Sequence, residues 1–144
     1  MAYNHNETEV LEQTQVNGVN PVSDNNVVNL ELGLPKDRMT MTLTQNLSDA
    51  WSLMARLNYY GESWDERGDY AAGTKDKIDA VSFIDLEANY LVSDNLSVVL
   101  GANNITNAYP TEIATRASQG MPYPRRSPLG YHGGFTYMRL MYSF

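Results

Sequence analysis

Cysteine is absent from the 144 residues, which excludes a disulfide scaffold, a thiol nucleophile and a thiolate metal site. Histidine is nearly absent. His5 and His132 stand at opposite ends, neither in a cluster with ligand spacing, so a structural role or plain exposure is expected for both and no cofactor is expected. Basic residues are scarce: Lys and Arg number 10 against 17 Asp and Glu, for a net charge of -7. No basic stripe exists to meet phosphates, so nucleic acid is not an expected partner. No long apolar run is present, so no helix can span a bilayer, which takes about 20 residues. A mean hydropathy of -0.42 does not exclude a membrane location, because a barrel strand is apolar only at every second position. The opening Met1-Ala2-Tyr3-Asn4-His5-Asn6-Glu7 lacks the basic start and apolar core of an export signal. No catalytic constellation is found, so the chain is not expected to be an enzyme. Gly133-Gly134 is no phosphate loop, since no helix follows it.

What the chain does have is tyrosine and alternation. There are 10 Tyr against 3 Phe, a bias toward rings with one wet end. In the final run, Met138, Leu140, Tyr142 and Phe144 alternate with Arg139 and Ser143, giving a strand with one apolar and one mixed face. Met39, Met41 and Leu43 alternate with threonines; Trp51, Leu53, Ala55, Leu57 and Tyr59 with Ser52, Arg56 and Asn58. Ile84, Leu86, Ala88, Tyr90 and Val92 alternate with Asp85, Glu87 and Asn89; Leu96, Val98, Leu100 and Ala102 with Ser97 and Asn103. Strands are predicted near 38–47, 50–61, 80–92, 95–104 and 134–144, with a weaker one near 1–10. Ser23-Asp24-Asn25-Asn26 predicts a short helix over Val27 to Leu32 ending at Gly33 and Pro35, although the alternation of Val28, Leu30 and Leu32 also allows a strand.

Tight turns at 46–50 and 93–95 alternate with long predicted loops at 61–79 and 104–134. Outer-membrane barrels alternate short periplasmic turns with longer extracellular loops in the same way. The two short turns echo each other: Leu47-Ser48-Asp49-Ala50-Trp51-Ser52-Leu53 has the pattern of Val92-Ser93-Asp94-Asn95-Leu96-Ser97-Val98, and Ser and Asp suit turns because they bond the local backbone. Strands of about ten residues suit a tilted bilayer crossing, whereas soluble sheets more often use about 5–6. The charges Arg56, Asp85, Glu87 and Arg139 share the polar face, which is a lumen in a barrel and the solvent side in a soluble β-sandwich. The fold class is therefore all-β: an antiparallel up-and-down meander of five or six long strands, open, forming part of a transmembrane β-barrel.

Gly101-Ala102-Asn103-Asn104-Ile105-Thr106-Asn107-Ala108-Tyr109-Pro110 resembles a TonB-dependent outer-membrane receptor. The resemblance runs through Gly33-Leu34-Pro35-Lys36-Asp37-Arg38, Asn58-Tyr59-Tyr60-Gly61, Tyr123-Pro124, Ser127-Pro128-Leu129-Gly130 and Gly133-Gly134-Phe135, covering about residues 30–144 in the family's order. It implies the last five or six strands of a plugged barrel of about 22 strands. It also implies a location in the outer membrane of a Gram-negative bacterium and import of a siderophore-iron, cobalamin or sugar nutrient. Leu140, Tyr142 and Phe144 resemble the signal read by the barrel-assembly machinery. Outer-membrane lipid is the other implied partner. No plug domain and no TonB-contacting segment are found, so the chain reads as a C-terminal fragment that would meet the TonB complex only through a missing N-terminal region. A non-transporting or oligomeric barrel remnant, or a soluble β-sandwich binding module, is the alternative. Trp64, Asp65, Glu66 and Arg67, with Arg116, Arg125, Arg126 and Tyr131, are loop candidates for contacting a ligand from outside. Solvated loop charge, or lipopolysaccharide contact by the arginines, is the competing reading.

Overall fold

The computed structural model describes residues 1–65, 76–113, 120–124 and 126–144. Its elements in chain order are β1 (Ala2–His5), α1 (Asp24–Leu32), β2 (Asp37–Asn46), β3 (Trp51–Tyr60), β4 (Ser63–Asp65), β5 (Asp76–Ile78), β6 (Val81–Ser93), β7 (Leu96–Asn103) and β8 (Phe135–Tyr142). Six of them form one sheet in the order β1-β2-β3-β6-β7-β8, every neighbour antiparallel. The sheet is an open up-and-down meander, as the alternation predicts. The helix forms where the Asn-rich segment ends, although the Ser23 side chain makes no capping bond.

Three details differ from the sequence reading. The first strand is only four residues, Ala2–His5, because Asn6 N–H bonds the Lys36 carbonyl and the chain then leaves the sheet. The polar stretch after Gly61 is not all loop: β4 and β5 pair there as a small separate hairpin. β8 ends at Tyr142, so Phe144 lies past the last ladder pair, its ring set edge-on to Tyr142 at 5.1 Å.

The register sorts the side chains. Leu43, Ala55, Leu86, Ala102 and Thr136 form one cross-sheet row, and Gln45, Leu53, Ala88, Leu100 and Met138 the next. Directly paired residues share a face, so these rows and the Met41–Leu57–Ile84 row build one apolar face. At the tight-turn end this face carries Trp51 stacked on Tyr90 at 4.5 Å, with Tyr142 further along. At the opposite end it carries Tyr3 and Tyr59, both in register with Met39. From Trp51 to Tyr59 is 59 − 51 = 8 steps, or about 26 Å of strand at ~3.3 Å per residue. Tilted by about 40°, that is ~20 Å of height, near the apolar band between aromatic girdles in outer-membrane barrels.

This face is bare. Leu43 is 61% exposed, Leu100 56%, Met138 65% and Leu140 63%. The buried apolar side chains lie elsewhere: Val28 on α1, Ile78 on β5, and Ile113 and Leu129 in the 104–134 segment, with Val99 the exception inside the sheet. The loop end thus has a small apolar core of its own, while the strands point their apolar residues outward. A soluble sheet would cover such a face, because exposed apolar area is unfavourable in water. In a barrel containing this sheet, Leu86→Arg is expected to cost roughly 2–4 kcal/mol and Thr42→Arg, on the opposite face, much less. Unfolding from lipid vesicles measures both, and equal costs would contradict the assignment of faces.

Candidate functional site

The polar face carries two bonded clusters. The first is built on Asp85, which register places opposite Arg56. Asp85 is only 8% exposed. Asn58 Nδ2 donates to Oδ2 at 2.9 Å, and the Asn104 backbone N–H donates to Oδ1 at 2.8 Å. The Arg56 Nε donates instead to Thr42 Oγ1 at 3.4 Å, one strand away. The second cluster centres on Glu87. Tyr137 O–H donates to its Oε2 at 2.6 Å, and Arg139 Nη2 stands 3.6 Å from the same oxygen. The Arg139 guanidinium also lies 5.8 Å from the Tyr137 ring centre.

That second cluster depends on a glycine. Glu87, Gly101 and Tyr137 are consecutive partners across β6, β7 and β8. Tyr137 reaches Glu87 by lying flat over Gly101, where any Cβ would collide with its ring. The sequence does not announce this: Gly101 reads as an ordinary interruption of a strand, and only the register shows that a tyrosine crosses it.

Beyond the sheet, Asn104 closes a turn with its own side chain. Its Oδ1 accepts from Ala108 N–H at 2.9 Å and Thr106 O–H at 3.1 Å, and its Nδ2 donates to the Ala108 carbonyl at 2.8 Å. Asn104 and Asn107 both have positive φ, 49° and 51°, which asparagine tolerates better than most residues. Asn107 Oδ1 then accepts from Gly134 N–H at 3.0 Å, so the beginning of the 104–134 segment holds its end. Above this, Tyr109, Tyr123 and Tyr131 stack in sequence at 6.3 and 5.8 Å, and Tyr131 O–H donates to the Pro124 carbonyl at 2.7 Å.

The loop candidates do not form one group. Tyr131 is inside the tyrosine stack. Trp64, on β4, lines a cleft of about 340 Å³ with Leu32, Lys36 and Tyr59. The Arg126 guanidinium lies beside Gly33 at the end of α1. Asp65 is buried. Glu66, Arg67, Arg116 and Arg125 lie outside the described residues. Arg56, Asp85, Glu87 and Arg139 share the polar face, and Leu140 and Tyr142 stand on the apolar face.

His5 gains by folding a partner that its sequence neighbours do not supply. Its Nδ1 is 2.7 Å from Asp37 Oδ1, an oxygen that also accepts from Tyr3 O–H at 2.6 Å. Nearby, Lys36 donates to Glu7, closing the exit from β1. Among the described residues no group of three or more His, Asp or Glu side chains is placed to hold a metal ion.

No family model and no curated protein matches the chain. Among solved structures, a point mutant of the ferric enterobactin receptor of Pseudomonas aeruginosa matches with a TM-score of 0.58 at 20% identity, over 87% of this chain. The chain spans 19% of that receptor's length. The likeness is one of fold.

Two outcomes are expected of these contacts. Gly101→Ala should displace the Tyr137 ring and cost about 1–3 kcal/mol, with a smaller additional loss in Tyr137→Phe, because both act on one hydrogen bond; a double-mutant cycle measures the coupling. The Glu7–Lys36 tie should have two pH limits. The hydrogen bond from Lys36 holds Glu7 below the usual carboxylate range, so its contribution is complete above that range and lost as pH falls through the lowered value. The same bond raises Lys36, so its contribution is complete below the usual lysine range and lost as pH rises through the raised value. Carbon-detected titration of the two side chains checks this, and two unshifted curves would refute it. Both groups are exposed, so salt should weaken the tie.

Proposed function

We propose that this chain is the C-terminal barrel segment of a TonB-dependent outer-membrane receptor that imports a scarce nutrient, a ferric siderophore, cobalamin or sugar. The observation that carries the reading is the two-faced open sheet. Its apolar face is exposed between aromatic ends, its opposite face is polar and internally bonded, and its long connections gather at one end. That is the division of labour of a barrel wall: lipid outside, lumen inside, short turns on one side of the membrane and long loops on the other. The fold likeness to a ferric enterobactin receptor supports it, as does the resemblance of residues 30–144 to the TonB-dependent family.

On this reading Arg56, Asp85, Glu87 and Arg139 line the lumen. Leu140, Tyr142 and Phe144 are read by the barrel-assembly machinery, and Tyr131, Trp64 and the loop arginines face the exterior. Six strands cannot close a lumen, since the smallest single-chain barrels use eight. Transport is therefore a property of a larger barrel to which this wall belongs, and the TonB complex would be met by other parts of it. A soluble β-sandwich needs a second sheet over the apolar face. Among the described residues the second sheet is the β4–β5 hairpin, with three-residue strands, too small for that role.

The chain alone in plain buffer is expected to aggregate, and to give a defined particle only with detergent. The apolar rows are bare across the sheet, with Leu43, Leu100, Met138 and Leu140 all more than half exposed; a large contiguous apolar patch is an association liability, and the outer edges of the sheet add further unpaired backbone groups. Size-exclusion chromatography with light scattering tests this. A sharp monomer near 16.2 kDa in buffer, with a cooperative melt, would overturn the barrel reading.

A further inference from the structure

The polar face holds one carboxylate with an unusual combination of bonds. Asp85 lies within β6, nearer its first residue than its last, yet one of its two oxygens is used by the backbone of the segment that leaves the sheet after β7. The other is used by Asn58 on β3, so the carboxylate joins β3 and β6 to the first residue beyond β7. At the same point Ile105 N–H bonds the Ile84 carbonyl at 2.8 Å, pulling the chain back over β6. From Asn104 the bonds continue to Ala108, and from Asn107 to Gly134, the last residue before β8.

We propose that Asp85 is a latch: through Asn104 and Asn107 it fixes both ends of the 104–134 segment to the wall, so that the base of this long connection is a rigid extension of the sheet and not a hinge. Three observations carry it. The carboxylate is buried and bonded to two donors on different elements, so losing it strands both. The two asparagines hold left-handed backbone that their side chains stabilise by bonding ahead, which is local preorganisation and not contact with the sheet alone. Asn107 N–H bonds the Asn104 carbonyl at 2.9 Å and Asn107 Oδ1 accepts from Gly134 N–H, so the first turn of the segment is tied to its last residue and one end cannot swing without the other. Asn107 and Gly134 do not touch Asp85; they feel it only if the bonded chain acts as a unit.

The test is amide-resolved hydrogen exchange on the 144-residue chain folded in detergent micelles, with two variants. Asp85→Ala removes the latch. Ile105, Ala108 and Gly134 are expected to exchange about tenfold to a hundredfold faster, the range for losing a hydrogen bond to a charged group, while the β2–β3 amides keep their rates. Asn104→Gly keeps the positive-φ backbone and the N–H bond to Asp85 but removes the forward bonds. It should expose Ala108 and Gly134 while leaving Ile105 protected. The proposal is overturned if Asp85→Ala changes Asn104 alone, or if it accelerates the whole sheet equally. Should Asp85→Ala not fold, an unchanged Gly134 in Asn104→Gly overturns it as well.

Discussion

A backbone in hydrocarbon has no water to fall back on, so every N–H and C=O must find a partner in the protein. The meander satisfies that rule by local pairing: each strand bonds the next long strand in the chain, through Arg38–Tyr60, Trp51–Tyr90, Leu86–Ala102 and Ser97–Met141. Once the ladder is continuous, the choice of face is free, and the side chains sort to the apolar face or the polar face by parity alone. The rule leaves two places exposed. On the outer side of β2, the short β1 covers only Asp37–Thr40. On the outer side of β8, no described strand pairs with Phe135–Tyr142. Those are the edges at which the wall would continue on the proposed barrel reading.

The inversion of packing follows from the same constraint. A soluble sheet earns its stability by hiding one face, and its core is where its strands are most apolar. Here the apolar rows Leu43–Leu86 and Leu53–Leu100 face outward, and burial is displaced to α1, β5 and the 104–134 segment. On the opposite face, stability comes from polar groups that satisfy one another: Asp85 with Asn58 and Asn104, Glu87 with Tyr137. A buried carboxylate left without donors would be costly, so these pairings fix the relative position of their strands more sharply than apolar contacts would.

Period-two alternation made the long strands legible in the sequence, and it did so because a sheet with one apolar and one polar face must sort its residues by parity. The tight turns were legible because Ser48 bonds forward to Ala50 and Trp51 N–H, which is what the Ser-Asp pattern advertises. The helix was legible, though its alternation equally allowed a strand. The first strand was legible only as a weak signal near 1–10, and its short extent was not: Ala2–His5 is held by Asp37 and Lys36, partners about 30 residues away that local pattern cannot supply. Nor was β4–β5, whose strands are too short to show a period. The candidate site was legible only as a set of polar positions. That Tyr137 crosses Gly101, or that Asp85 serves a residue beyond the sheet, depends on register between strands, and register is invisible in any one strand.

The bonds on the polar face also bear on what this wall does. A surface made to bind a ligand tightly presents free donors and acceptors. In the described part of this face the strongest polar groups are already engaged with one another: both Asp85 oxygens have donors, and Glu87 has Tyr137 and Arg139. A molecule meeting this face meets groups whose bonds must be broken before new ones form, which favours weak contact. The exposed polar groups gather instead around the long connections, where Glu7, Lys36, Glu62 and Lys77 form ion pairs open to solvent. Those pairs cost little to break, because each partner is hydrated in either state. The loop end differs from the polar face in kind: there the tyrosine stack and the Asn104 turn form a bonded frame with exposed charge around it.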